Sequence, residues 1–260
     1  MDLGRDDHGE GDPLVLLHGV AASRVVWRHV VAPLARRRRV LAVDVPGFGG
    51  SAPAGPGFAL EQVADRLVDG LGLGERFDLV GHSLGGAVAV ATAARHPEAV
   101  RRLVLVSPAG LAPRAVGLAA TLGAVAELAT NARRALGYDY VEHAAARWAM
   151  FGGTVADAGR LDPGDARMLL EASDGAQRIS DGVRRALEAD LRDDLAAAPM
   201  PVGLIWGELD RVVPYAGLGA LRLLRPDAVV ETLRGTGHIP HIEDPDGFAA
   251  ALERVLDALG

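Results

Sequence analysis

Three short stretches, far apart in the chain, carry side chains suited to moving a proton and attacking a carbonyl. The first is Gly81-His-Ser-Leu-Gly85, where the apolar run Phe77–Val80 stops and a small-residue helix begins. Glycine is costly at ordered positions, and a serine between glycines adds nothing to a core. A strand turning through Gly-x-Ser-x-Gly into a helix strains the serine by roughly 1–3 kcal/mol and leaves its hydroxyl free above the sheet. The amides that open the helix at Leu84 aim at the same point and favour negative charge there. The second stretch, Trp206-Gly-Glu-Leu-Asp210, runs off a buried strand and puts Asp210 in a loop at its carboxyl end. The third, Gly237-His238, follows the last apolar run. The order Ser83, Asp210, His238 suits a nucleophile, an orienting acid and a general base. Neutral His238 would take the Ser83 proton while Asp210 fixes its tautomer. Leu16-Leu-His-Gly-Val20 leaves the first apolar strand and supplies one more donor. The amides of Val20 and Leu84 are the expected oxyanion pair, and losing one such donor costs about 10²–10³ in rate.

Each of these residues has rivals. Glu208 sits too near its strand end to replace Asp210, and Asp44 belongs to a turn whose backbone amides it is expected to bind. Ser107-Pro108-Ala109 offers no acid after the preceding strand. His241 lies three residues beyond His238 and is expected to pack or orient the loop. His238-x-x-His241 with Glu243 nearby lacks the ligand pattern of a zinc enzyme. His82 belongs to the turn, and His96 before Pro97 reads as a helix end. Gly47-Phe-Gly-Gly-Ser-Ala52 resembles a dinucleotide fingerprint on paper, but Pro53 and Pro56 forbid the helix that must open there to hold pyrophosphate.

The elements that must position these residues are legible as punctuated apolar runs. Leu14–Leu17, Val40–Val43, Phe77–Val80, Leu103–Val106, Val202–Trp206 and Val229–Leu233 are continuous rather than alternating, as strands buried on both faces require. Helical patterns separate them at Val26–Ala35, Leu60–Leu71, Ala87–His96, Tyr215–Leu224 and Phe248–Leu259. The alternation predicts a doubly wound α/β sheet with its site at the carboxyl ends of the strands. Between Val106 and Val202 the sequence is helical throughout. Leu118, Leu122, Val125, Leu128, Ala132 and Leu136 form one stripe, expected to be buried, and Val141, Ala145 and Trp148 start another. A structureless loop of that length is improbable, so residues 111–179 are expected to form an inserted helical lid on a core of residues 1–110 and 180–260. Trp148, Met150 and Phe151 either line a pocket or fill the lid. The Arg36–Arg39 run reads as a solvated helix end.

Composition narrows the chemistry. The 260 residues suit one sizeable domain with an insertion, 49% hydrophobic and 23% charged. A net charge of -7 argues against a nucleic-acid or anionic-membrane surface. There is no lysine, which excludes a Walker-type loop and Schiff-base chemistry, and no cysteine, which excludes thiol nucleophiles and disulfides. The polar, acidic N-terminus is unlike a secretory leader, and no apolar stretch is long enough to span a membrane. A cytoplasmic location is expected.

Taken together, His18-Gly19, Asp44-Val-Pro-Gly-Phe-Gly-Gly-Ser51, Gly81-His-Ser-Leu-Gly-Gly86, Trp206-Gly-Glu-Leu-Asp210 and Gly237-His238 resemble the α/β-hydrolase superfamily over nearly the whole chain. In that family two antiparallel strands open the fold. Only thirteen residues precede Leu14, so the first strand is expected to be shortened or missing. The resemblance implies hydrolysis. With serine rather than aspartate as nucleophile, attack on an sp³ carbon would give an ether that water cannot open, so acyl transfer through an acyl-enzyme is expected. The expected substrate is a small or medium, uncharged carboxylic ester, with no metal or organic cofactor. Lactone or enol-lactone hydrolysis, diketone carbon–carbon cleavage, thioesterase and perhydrolase activities are the alternatives. So is a slow-turnover, ligand-binding signalling role on the same fold.

Overall fold

The computed structural model describes residues 3–55, 57–111, 116–174 and 179–260. Pro56, the first two residues of the polar N-terminus and the segments 112–115 and 175–178 of the expected insertion lie outside the described residues. The strands are β1 (Arg5–His8), β2 (Pro13–Leu17), β3 (Arg39–Val43), β4 (Phe77–His82), β5 (Val100–Val106), β6 (Val202–Gly207) and β7 (Val229–Leu233). The helices are α1 (Arg28–Leu34), α2 (Leu60–Leu71), α3 (Leu84–Arg95), α4 (Val116–Leu136), α5 (Ala144–Phe151), α6 (Pro163–Asp174), α7 (Ile179–Glu188), α8 (Arg192–Ala197), α9 (Gly217–Leu224), α10 (Pro240–Glu243) and α11 (Pro245–Ala258). Among the described residues the sheet has seven strands in the order β1-β3-β2-β4-β5-β6-β7, parallel except for β1. No described helix is long and apolar enough to cross a membrane.

The continuous apolar runs are explained by burial on two faces. Val15, Leu17, Leu41, Leu79, Leu103, Leu204 and Trp206 face α2, α3, α8 and α9. Their neighbours Leu14, Leu16, Val40, Val80, Val104 and Ile205 face α1 and α11. Helix α2 shows the sequence logic plainly. Leu60, Val63, Ala64, Leu67 and Leu71 make its buried stripe, and Gly72 at φ 56° ends it in the left-handed conformation.

Two expectations need correction or refinement. The first strand is present as the four-residue β1, pairing Arg5 with Val43 and His8 with Val40. Its Arg-Asp-Asp-His sequence carries no apolar signal because it is a charged edge strand, whose job is to close the β3 edge rather than to fill a core. The stripe on α4 is not buried: Leu122, Val125 and Leu128 are 45%, 56% and 70% exposed. Helix α4 instead seats its small-residue side on α7, with Gly123 pressed against Ser180, so the leucine side faces outward. The side chains of Leu118 and Leu136 lie outside those described.

Candidate functional site

The site forms where β4 gives way to α3. Ser83 sits between them at φ 53°, ψ −117°, a conformation that costs a non-glycine residue on the order of 1–3 kcal/mol. Its backbone is held from several sides. Its N–H donates to the Val106 carbonyl at 3.0 Å, and its own carbonyl accepts from Gly86 at 2.9 Å and Ala109 at 2.9 Å. The turn is so tight that a Cβ on Gly81 would collide with the Gly85 carbonyl.

The loops after β6 and β7 bring the other two side chains in. A Cβ on Gly207 would strike the Gly237 carbonyl, so this glycine is what lets the end of β6 approach the following loop. Asp210 Oδ1 accepts the amides of Val212 at 2.9 Å and Val213 at 3.0 Å. Its Oδ2 accepts from His238 Nδ1 at 2.8 Å. A carboxylate can only accept here, so the His238 proton is on Nδ1 and Nε2 is left as an acceptor. Ser83 Oγ lies 3.0 Å from that Nε2 and donates to it. All three residues are buried, each 5–6% exposed. The structure thus joins the three residues singled out in the sequence into one chain of hydrogen bonds. Both His238 nitrogens are committed to it, which leaves none for the metal reading.

Val20 and Leu84 flank the serine from opposite elements. Val20 follows β2 and lines the cavity beside Ser83, while Leu84 opens α3. His18 fixes the approach to Val20: its ring bonds the Gly19 carbonyl at 2.7 Å through Nδ1–H and accepts the Val45 amide at Nε2, 3.0 Å. Asp44 behaves as a turn residue, accepting the Arg24 and Gly50 amides at 2.6 and 2.7 Å. Residues 47–52 form turns, not a helix.

Ser83 and His238 open into a cavity of about 260 Å³. Val20, Ala22 and Val26 form its core side, and Met150, Phe151, Leu169 and Leu170 come from α5 and α6. Among the described residues, no Asp, Glu or Arg side chain lines it. Of the three aromatic-region residues left open by the sequence, Met150 and Phe151 line this cavity, whereas Trp148 is half exposed. A larger, open groove of about 1100 Å³ between α1 and α6 holds none of the three bonded side chains. Its Arg24, Arg28 and Arg167 are paired with Asp44, Asp165 and Asp139.

Sequence reasoning missed the supporting histidine. His82, dismissed as part of the turn, is buried and donates from Nε2 to the His238 carbonyl at 2.8 Å. Burial, aided by the facing His241 and His238 rings, holds it well below the ordinary imidazole range, so it stays neutral. His241 stacks 4.2 Å from Trp27 and lies 4.8 Å from His82, and burial pushes it down to about 3. The clue was position: His82 ends the same strand that presents Ser83, so its ring necessarily faces the loop that supplies the base.

Known proteins share this fold. The pattern of the alpha/beta hydrolase fold family matches residues 12–245. The chain is 30% identical to a pimeloyl-(acyl-carrier protein) methyl ester esterase of Aeromonas hydrophila, over 98% of this chain and 100% of that one. Among solved structures it resembles a thermophilic esterase from Thermogutta terrifontis, with TM-score 0.80 and 25% identity over 99% of this chain and 93% of that one. It also resembles an enol-lactonase from Burkholderia xenovorans, with TM-score 0.77 and 25% identity over 98% and 96% of the two chains.

Proposed function

Since the chain belongs to the α/β hydrolase fold family and is an esterase-like hydrolase, we propose that it cleaves small, uncharged carboxylic esters through an acyl-enzyme on Ser83. The observation that carries this reading is the relay from Ser83 Oγ through His238 to Asp210, at 3.0 and 2.8 Å, on the wall of a cavity whose described lining holds no Asp, Glu or Arg. His238 Nε2 takes the Ser83 proton as Oγ attacks the ester carbonyl. Asp210 holds the proton on Nδ1 and stabilises the imidazolium that forms. The tetrahedral oxyanion is received by the amides of Val20 and Leu84, with the N-terminus of α3 adding favourable potential. His238 then protonates the leaving alcohol, and water, deprotonated by the same nitrogen, releases the acid. This sequence asks for no metal or organic cofactor, and its partner is a small molecule.

Cavity size and composition support the substrate class. About 260 Å³ falls at the small end of ligand pockets, and burying a carboxylate is costly where no cation stands among the described lining residues. Helices α5 and α6, within residues 111–179, act as the lid in this reading, because Met150, Phe151, Leu169 and Leu170 line the cavity with Ser83. A cytoplasmic location fits the same reading.

A series of p-nitrophenyl esters of increasing acyl length tests it, with Ser83→Ala as control. Sustained turnover that favours short acyl chains and disappears in the variant is expected. One turnover followed by arrest would move the assignment to the ligand-binding role. Turnover that survives in Ser83→Ala would remove the mechanism altogether.

A further inference from the structure

Three backbone N–H groups behind the base converge on one half-buried carboxylate. Glu243, the last residue of α10, accepts the Gly237 amide on both oxygens, at 3.0 and 2.9 Å. Its Oε1 also accepts the Ile239 amide at 3.3 Å, and its Oε2 the Ala156 amide at 2.7 Å. Gly237 and Ile239 are the chain neighbours of His238. Ala156 belongs to the turn that follows α5, and Thr154 in that same turn lines the cavity. The grip closes from the other side as well, because the His238 amide donates to the Thr154 carbonyl at 2.8 Å.

We propose that Glu243 is a positioning residue that holds His238 in register with Ser83 and ties that register to the Thr154–Ala156 turn of the cavity-covering segment. The proposal rests on the acyl-transfer reading of the site. Glu243 touches neither Ser83 nor the cavity and acts through the backbone on either side of His238. A single carboxylate can accept all of these amides, and charge strengthens each bond. Its burial is unfavourable to the ionised form and raises its pKa, a cost that a side chain serving only to fill space would not incur. The link has a mechanical result. If the Thr154–Ala156 turn moves away, the Ala156 bond and the Thr154 contact to His238 go together, so the base loses alignment when the cover lifts.

Glutamine separates this role from simple space filling. Its shape is nearly the same, but one of the two oxygens becomes an NH₂ donor. Whichever way it turns, that donor faces either the Ala156 amide or the Ile239 amide, so one side of the grip is lost. The test compares wild type with Glu243→Gln by kcat and KM on a short p-nitrophenyl ester, by the rate of covalent labelling with a fluorophosphonate probe, and by thermal melting. The expected result is a kcat lower by on the order of 10²-fold, KM within a few-fold, and labelling slowed in parallel, in a variant still folded at the assay temperature. Should Glu243→Gln melt below that temperature, Glu243→Asp replaces it. That variant keeps the charge but is one methylene too short to span both sides, and the same loss is expected. Wild-type kcat and labelling rate in the folded variant, or a loss confined to KM, would overturn the positioning role. Failure of the underlying reading looks different: wild type itself would resist the probe, or Ser83→Ala would still turn over.

Discussion

Asparagine at position 210 is the sharpest perturbation the geometry allows, because the two carboxylate oxygens have unequal obligations. Oδ1 serves two backbone amides, Val212 at 2.9 Å and Val213 at 3.0 Å, while Oδ2 serves His238 Nδ1 alone at 2.8 Å. In Asp210→Asn the side chain has one oxygen to place. Turning it toward His238 would set an NH₂ against two N–H donors, each left unsatisfied at about 1–3 kcal/mol. That orientation is therefore disfavoured by about 2 kcal/mol or more, and populated in roughly one molecule in thirty or fewer. In the favoured orientation the NH₂ faces His238 Nδ1, which must accept. The ring proton then moves to Nε2, 3.0 Å from Ser83 Oγ, where a base is needed and a donor now stands. Loss of the productive tautomer and of the negative charge lowers kcat by on the order of 10³–10⁴. KM changes little, because Asp210 does not line the cavity. Steady-state kinetics with p-nitrophenyl acetate measure both constants, and proton NMR of the imidazole N–H reports the tautomer. A variant that keeps more than a tenth of the wild-type kcat at neutral pH would refute the argument.

Two other substitutions probe the surroundings. The folded chain keeps His241 neutral down to about pH 3, against 6.5 for an ordinary imidazole, so below 6.5 the unfolded chain binds a proton that the folded one does not. Stability drawn from this group falls with acidification, by about 2 kcal/mol between pH 7 and pH 5. Urea denaturation at those two pH values should show a loss smaller by that amount in His241→Phe, and an unchanged loss would contradict the neutral assignment. A Cβ at Gly182 of α7 would lie 2.9 Å from Phe48 Cζ and 3.1 Å from Leu84 Cδ2 and Val20 Cγ2. Gly182→Ala should therefore overpack the seat of α7 on Val20 and Leu84, lowering stability by about 1–3 kcal/mol and kcat/KM several-fold. Thermal melts and ester kinetics that both match wild type would count against so tight a fit of α7 on Phe48, Val20 and Leu84.

How much of this could be read beforehand depended on whether a residue's signal was local. Leu14–Leu17 and Leu204–Trp206 announce buried strands because both faces are covered and every position is apolar. Ser83 is legible because the glycines around it are demanded by the turn itself. Strand β1 was not, since a polar edge strand resembles a loop until its partner β3 is known. The direction of the α4 stripe failed for a related reason. Leucine periodicity reports that a helix has two sides, yet Gly123 against Ser180 decided which side packs. Glu243 was noticed only as a neighbour of His241, because its role runs through three backbone amides that no pattern of side chains encodes.

The division of labour around Ser83 has a consequence for how such a molecule diversifies. In the proposed mechanism Ser83, His238 and Asp210 are held largely through main-chain atoms, the Val106 and Thr154 carbonyls and the Val212 and Val213 amides. The cavity wall, by contrast, is built by side chains such as Met150, Phe151, Leu169 and Leu170, which hold none of the three in place. On the proposed function, exchanging those four would alter which molecules are admitted while the reaction itself is inherited intact.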